Sequence, residues 1–147
     1  WLVDVFGYPQ GIQGYRARTM DVGAPIDDSY AVSMKFRDAV GTMVIDVTSR
    51  FATRSLILNL ERGQVVWNWE DDYVSVYSAR AQTWTKVRHE MAGAAKNYNK
   101  NISEDMYVDE VAAFLRAIRH RGTFPNTLED DIRVLGLLGK IENGTRR

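Results

Sequence analysis

Apolar and polar residues follow three different rhythms along this chain. The first nine residues, Trp1-Leu2-Val3-Asp4-Val5-Phe6-Gly7-Tyr8-Pro9, carry apolar side chains at the spacing of a short amphipathic helical turn. Gly7 can adopt the left-handed conformation that closes a helix, and Pro9 stops the helix from resuming. No initiator Met and no Ser, Thr, Asp or Asn cap precedes this turn. The pattern therefore predicts a helix that begins upstream, and a chain that is a piece of a longer protein.

From Ile12 to about Tyr77 the period is two. Tyr30, Val32, Met34 and Phe36 alternate with smaller or polar residues, as do Met43, Ile45 and Val47, and Leu56, Leu58 and Leu60. Val65, Trp67 and Trp69, then Val74 and Val76, continue the rhythm. These runs predict β-strands, with an earlier strand near Ile12 to Met20 and a final one near Thr83–Val87. The separators Arg37-Asp38-Ala39-Val40-Gly41, Glu61-Arg62-Gly63-Gln64 and Glu70-Asp71-Asp72 are short enough for hairpins, which makes consecutive strands antiparallel. Residues 80 to 102 lose the rhythm after that final strand and predict a polar loop or an irregular helix.

The last third has helical spacing. Ser103 is a suitable cap for a helix carrying Tyr107, Val111, Phe114, Leu115 and Ile118 on one stripe and ending in basic residues before Gly122. Asn126 or Thr127 caps a second helix, with Glu129, Asp130 and Asp131 in its first turn and Leu128, Ile132, Leu135 and Leu138 as its expected buried stripe. The predicted class is α+β: an open, mostly antiparallel sheet of about six strands in a single domain, with helices on one face. With Trp67 and Trp69 assigned to one face and Val66, Val74 and Val76 to the other, both faces read as apolar. The uncovered face is then expected to meet another subunit or domain.

Composition narrows the functional classes. Nineteen basic and nineteen acidic side chains cancel, which disfavours nucleic acid and anionic membranes as partners. The apolar runs are too short to cross a bilayer. Cysteine is absent, so there is no disulfide framework, thiolate metal site or cysteine nucleophile, and a cytoplasmic location is expected. Gly7, Gly11 and Gly14 lack the spacing and preceding strand of a dinucleotide fingerprint, and no P-loop or paired-histidine zinc motif occurs. His120 sits among the basic residues of a helix end, where the dipole favours cations. Glu129-Asp130-Asp131 suits a helix start, and Glu70-Asp71-Asp72 lies on a tight turn, so neither group is expected to hold a metal. The residues alone indicate a globular α+β domain with a sheet-face interface and no catalytic group of its own.

Four segments, in this order, resemble the C-terminal domain of the glucose–fructose oxidoreductase and inositol dehydrogenase (Gfo/Idh/MocA) family. Residues Trp1 to Pro9 resemble its W-L-x-G-x-P helix end. Asp27-Asp28-Ser29-Tyr30-Ala31, followed by Phe36-Arg37-Asp38-Ala39-Val40-Gly41-Thr42, resembles its D-D-x-A … F-x-N-G hairpin, although Ala39-Val40-Gly41 stands where Asn-Gly is common. Tyr107-Val108-Asp109-Glu110-Val111-Ala112-Ala113-Phe114 resembles its Y-x-x-E-x-x-x-F helix, and Pro125 with Asp130 or Asp131, Val134 and Leu135 resembles its closing helix.

The resemblance implies an oxidoreductase that binds NAD or NADP on an N-terminal Rossmann domain and acts on a hydroxyl or carbonyl of a sugar, polyol or similar small molecule. It implies that this chain supplies one wall of the substrate cleft and the subunit interface, so that it self-associates through the open sheet face. The family's glycine fingerprint, E-K-P lysine and Asp-x-x-x-His pair have no counterpart here, so no catalytic or cofactor-binding residue is assigned and the chain alone is expected to bind no cofactor. Arg18, Trp84, His89 and Tyr107 are the candidates for contact with substrate: Arg18 for a carboxylate or phosphate, Trp84 for stacking on a sugar ring, His89 or Tyr107 for hydroxyls. The alternative from a different class is a non-catalytic ligand-binding or scaffold domain that uses the sheet as a platform.

Overall fold

A computed structural model describes residues 1–88, 105–120 and 122–144. The chain divides into two compact units, one built from Trp1–Arg50 with Asn126–Arg147 and the other from Phe51–Pro125.

The first unit opens with α1 (Leu2–Phe6), closed by Gly7 at φ 75° as its left-handed conformation requires. Strands β1 (Gly11–Ala17), β2 (Ser29–Lys35) and β3 (Val40–Asp46) follow as an antiparallel meander. The register puts Gly14 opposite Val32 and Val32 opposite Met43, so these residues share one face. That face is the core. Val32, Met34 and Phe36 are buried, with Leu2, Phe6, Ile12, Tyr30, Ala39 and Met43 packed around them. Each fully buried side chain of this size contributes about 2 kcal/mol. Phe6 ties α1 to this core through Phe36, their ring centroids 5.4 Å apart.

The helix α3 (Leu128–Asn143) lies on the same face of β1. A Cβ at Gly14 would stand 2.5 Å from Cγ2 of Ile141, so the missing side chain is what admits the helix. An alanine there would cost about 1–3 kcal/mol. Thr127 caps α3 in a reciprocal box: its Oγ1 accepts from the Asp130 amide (3.1 Å), and its own amide donates to the Asp130 carboxylate (3.4 Å).

The second unit holds an antiparallel meander of β4 (Ser55–Leu60), β5 (Gly63–Asn68), β6 (Tyr73–Ser78) and β7 (Thr83–Arg88), then α2 (Asp105–His120). The α+β class and antiparallel strands are as expected. The strands number seven among the described residues, and they form two hydrogen-bonded sheets rather than one. The break follows β3, where the Asp46 carboxylate accepts from the amides of Thr48 and Ser49 and turns the chain out of the ladder. Residues 89–104, including Ser103 and the expected loop, lie outside the described set.

Three expectations are corrected. Trp67 pairs with Val74 and Val65 with Val76, so Val74 and Val76 share the tryptophan face. The β5–β6 connection sets this parity, and it gives the sheet one apolar face and one polar, aromatic face. The stripe Leu128, Ile132, Leu135 and Leu138 is 70, 60, 63 and 49% exposed. α3 docks instead through the opposite side, where Leu137 and Ile141 lie, because Gly14 opens space only there. The α2 stripe Tyr107, Val111, Phe114, Leu115 and Ile118 is also exposed, with Phe114 meeting Phe124 edge-on at 6.2 Å.

Candidate functional site

Cross-strand pairing in the second unit aligns four side chains in one row. Asn59 is opposite Gln64, Gln64 opposite Tyr77, and Tyr77 opposite Trp84. The row lines an open depression of about 550 Å³ completed by Leu60, Glu61, Gly63 and Ala79. Trp84 is half-exposed and leans on Tyr77 at 5.3 Å between centroids and 46° between planes. Gln64 Nε2 donates to Asn59 Oδ1 at 2.6 Å. Gly63 is required at the rim, since a Cβ there would strike the Tyr77 carbonyl oxygen. Lys86 lies two residues from Trp84 on the same face, its Nζ 3.9 Å above the Tyr73 ring. The site offers an aromatic ledge, an amide pair and one rim carboxylate.

The first unit carries a polar cluster where α3 meets the sheet. The Arg16 guanidinium donates to Asp27 and to Glu142 Oε2 (2.9 Å), and the Tyr30 hydroxyl donates to Glu142 Oε1 (2.9 Å). This hydrogen bond, followed by burial and the Glu142 charge, raises the Tyr30 pKa above its usual value. Asp28 is buried, and its carboxylate accepts four hydrogen bonds: from the amides of Thr19 and Met20 and the hydroxyls of Thr19 and Ser29. Burial alone would raise its pKa, but these bonds, led by the Met20 amide, outweigh it and hold the pKa down to about 2. Its backbone bridges Ala17 and Val47 as well, so Asp28 ties together the ends of all three strands.

Of the candidates from the sequence, Trp84 lines the depression. Arg18 lies just past β1, half-exposed and paired with Asp21 on its own loop at 3.4 Å, in the other unit. Tyr107 is exposed in the first turn of α2. His89 lies outside the described residues. The arginine that is organised by carboxylates is Arg16. Asn59, Gln64 and Tyr77 carry no signal in the sequence that sets them beside Trp84, because only strand register joins them. Glu70-Asp71-Asp72 is engaged as a turn, with Asp71 accepting from Asn68 and Asp72 paired with Arg88. Among the described residues no cluster of three or more metal-ligating side chains occurs, and no helix is long and apolar enough to cross a membrane. These residues do not fit a dinucleotide: Gly7 closes α1, and Gly11 and Gly14 lie within β1, where Ile141 fills the space beside Gly14.

No protein-family model and no curated protein sequence matches the chain. Several solved structures share its fold, among them the following two. One is a biliverdin reductase from Synechocystis, solved with biliverdin and NADP+ (TM-score 0.69, 15% identity). The other is a Klebsiella pneumoniae protein provisionally assigned as an oxidoreductase (TM-score 0.68, 15% identity). In each case 97% of this chain is matched to 42% of the other, so the chain spans less than half the length of either structure. The fold of the chain is thus one that both of these structures contain.

Proposed function

We propose that this chain is the substrate-wall domain of an NAD(P)-dependent oxidoreductase of the Gfo/Idh/MocA family, acting on a hydroxyl or carbonyl of a small molecule. The fold match over 97% of the chain carries this reading. It is joined by the motif order from the helix end at Pro9 to the closing helix. NADP+ accompanies the biliverdin reductase fold, and the glycines among the described residues form no dinucleotide cradle. The cofactor therefore belongs to a nucleotide-binding domain elsewhere in the parent, together with the hydride-transfer and proton-transfer groups. Sugars and polyols are the substrates the motif resemblance favours. Trp84 on the depression is the strongest candidate for substrate contact, with Arg18, His89 and Tyr107 as further candidates. The β4–β7 sheet is the surface proposed for a second copy of the chain.

The test is turnover. The product of the parent's whole reading frame is incubated with NADH or NADPH and a panel of carbonyl compounds. Cofactor oxidation by the parent, and none by the 147-residue chain alone, is the expected result. A parent that oxidises neither cofactor with any compound would sink the enzyme reading and favour the scaffold alternative.

A further inference from the structure

The row Asn59–Gln64–Tyr77–Trp84 has donors and acceptors left over. The bond from Gln64 Nε2 to Asn59 Oδ1 leaves Asn59 Nδ2 as a donor and Gln64 Oε1 as an acceptor, neither partnered among the described residues. Both line the same depression as the exposed indole of Trp84. We infer that this row binds a planar fused-ring ligand bearing a cyclic amide edge, with the rings stacked on Trp84 and extending past Tyr77. The ligand's amide N–H donates to Gln64 Oε1, and its C=O accepts from Asn59 Nδ2.

Distance selects this class. Adjacent strands stand about 4.8 Å apart, so Gln64 is two steps, or roughly 10 Å, from Trp84. A single six-membered ring on the indole stops short of the amides, whereas two or three fused rings reach them. Charge selects further. Among the described residues Glu61 is the one charged residue lining the depression, so a phosphate-bearing ligand finds no cation among them and a neutral ring system is preferred. The amide pair discriminates strongly, because a ligand without a complementary edge leaves both groups unpaired beneath it.

The inference sets a fused-ring substrate class in place of the sugars and polyols the resemblance favours, and rests on the proposed function only for calling the ligand a substrate. Its test needs no cofactor. Lumichrome, a neutral three-ring compound with an N–H/C=O edge, is titrated against the chain by calorimetry. Its N1,N3-dimethyl derivative, acridine and myo-inositol are titrated in parallel. Lumichrome is expected to bind, and Trp84→Ala to weaken it by about tenfold or more. Trp84→Phe keeps a ring, guards against misfolding, and should stay within about threefold of wild type. Asn59→Ala and Gln64→Ala should each cost about five- to tenfold. Methylation at both N1 and N3 should weaken wild type comparably and leave Gln64→Ala unaffected. Lumichrome affinity indifferent to Trp84→Ala in a folded variant, equal affinity for acridine, or binding of myo-inositol alone would overturn the assignment. Failure here with cofactor turnover intact in the parent rejects the ligand class and spares the oxidoreductase reading; ligand binding without turnover does the reverse.

Discussion

Asp28 shows how much structure a single carboxylate can organise. It is 1% exposed and uncharged partners surround it, yet four donors keep it ionised. Its folded pKa of about 2 lies below the unfolded value of 3.8, so the native state releases this proton more readily than the unfolded chain. Its stabilising contribution is complete above about pH 4 and disappears as the pH falls toward 2. Thermal melts from pH 7 to pH 2 should show wild type losing stability steeply at the acid end. Asp28→Asn should melt lower at pH 7 and depend less on pH in the acid window. An unchanged acid slope in the variant would remove Asp28 from this role. The resemblance marks the Asp27-Asp28 pair in the sequence, but its work becomes visible only in the structure: Asp27 holds Arg16, and Asp28 holds the strand ends.

Among the elements, the strands and caps were the most legible. The alternation of Tyr30, Val32, Met34 and Phe36 marks the buried side of β2, and Thr127 caps α3 as its residue type predicts. Thr127→Ala should lower unfolding free energy by about 1 kcal/mol in urea melts with an unchanged m-value. A null effect would mean that packing on β1 alone holds the helix. Faces were less legible than elements. Periodicity finds a stripe on α3 but does not say which side meets the sheet, and here a glycine on β1 decides by admitting Ile141. Likewise, alternation within β5 and β6 is plain, while the parity between them depends on the connecting turn. That is why Trp67 and Val74 fall together, and why the row from Asn59 to Trp84 could not be read from sequence.

At the scale of the whole molecule, two units carry different kinds of surface. The first buries a compact core between β1–β3 and α3, with Arg16, Tyr30 and Glu142 sealing the contact. The second presents a sheet with an apolar side (Leu56, Leu58, Val65, Trp67, Val74 and Val76) and a side bearing the depression. Self-association through that sheet predicts a dimer in sedimentation at micromolar concentration, and a monomer there would reject it. The domain proposed here is the wall of a site whose cofactor is held by another domain. NADPH fluorescence titration of the whole parent and of the 147-residue chain separates the two roles. Saturable binding by the parent and none by the chain is expected; NADPH binding by the chain itself, or by neither, would reject the proposal.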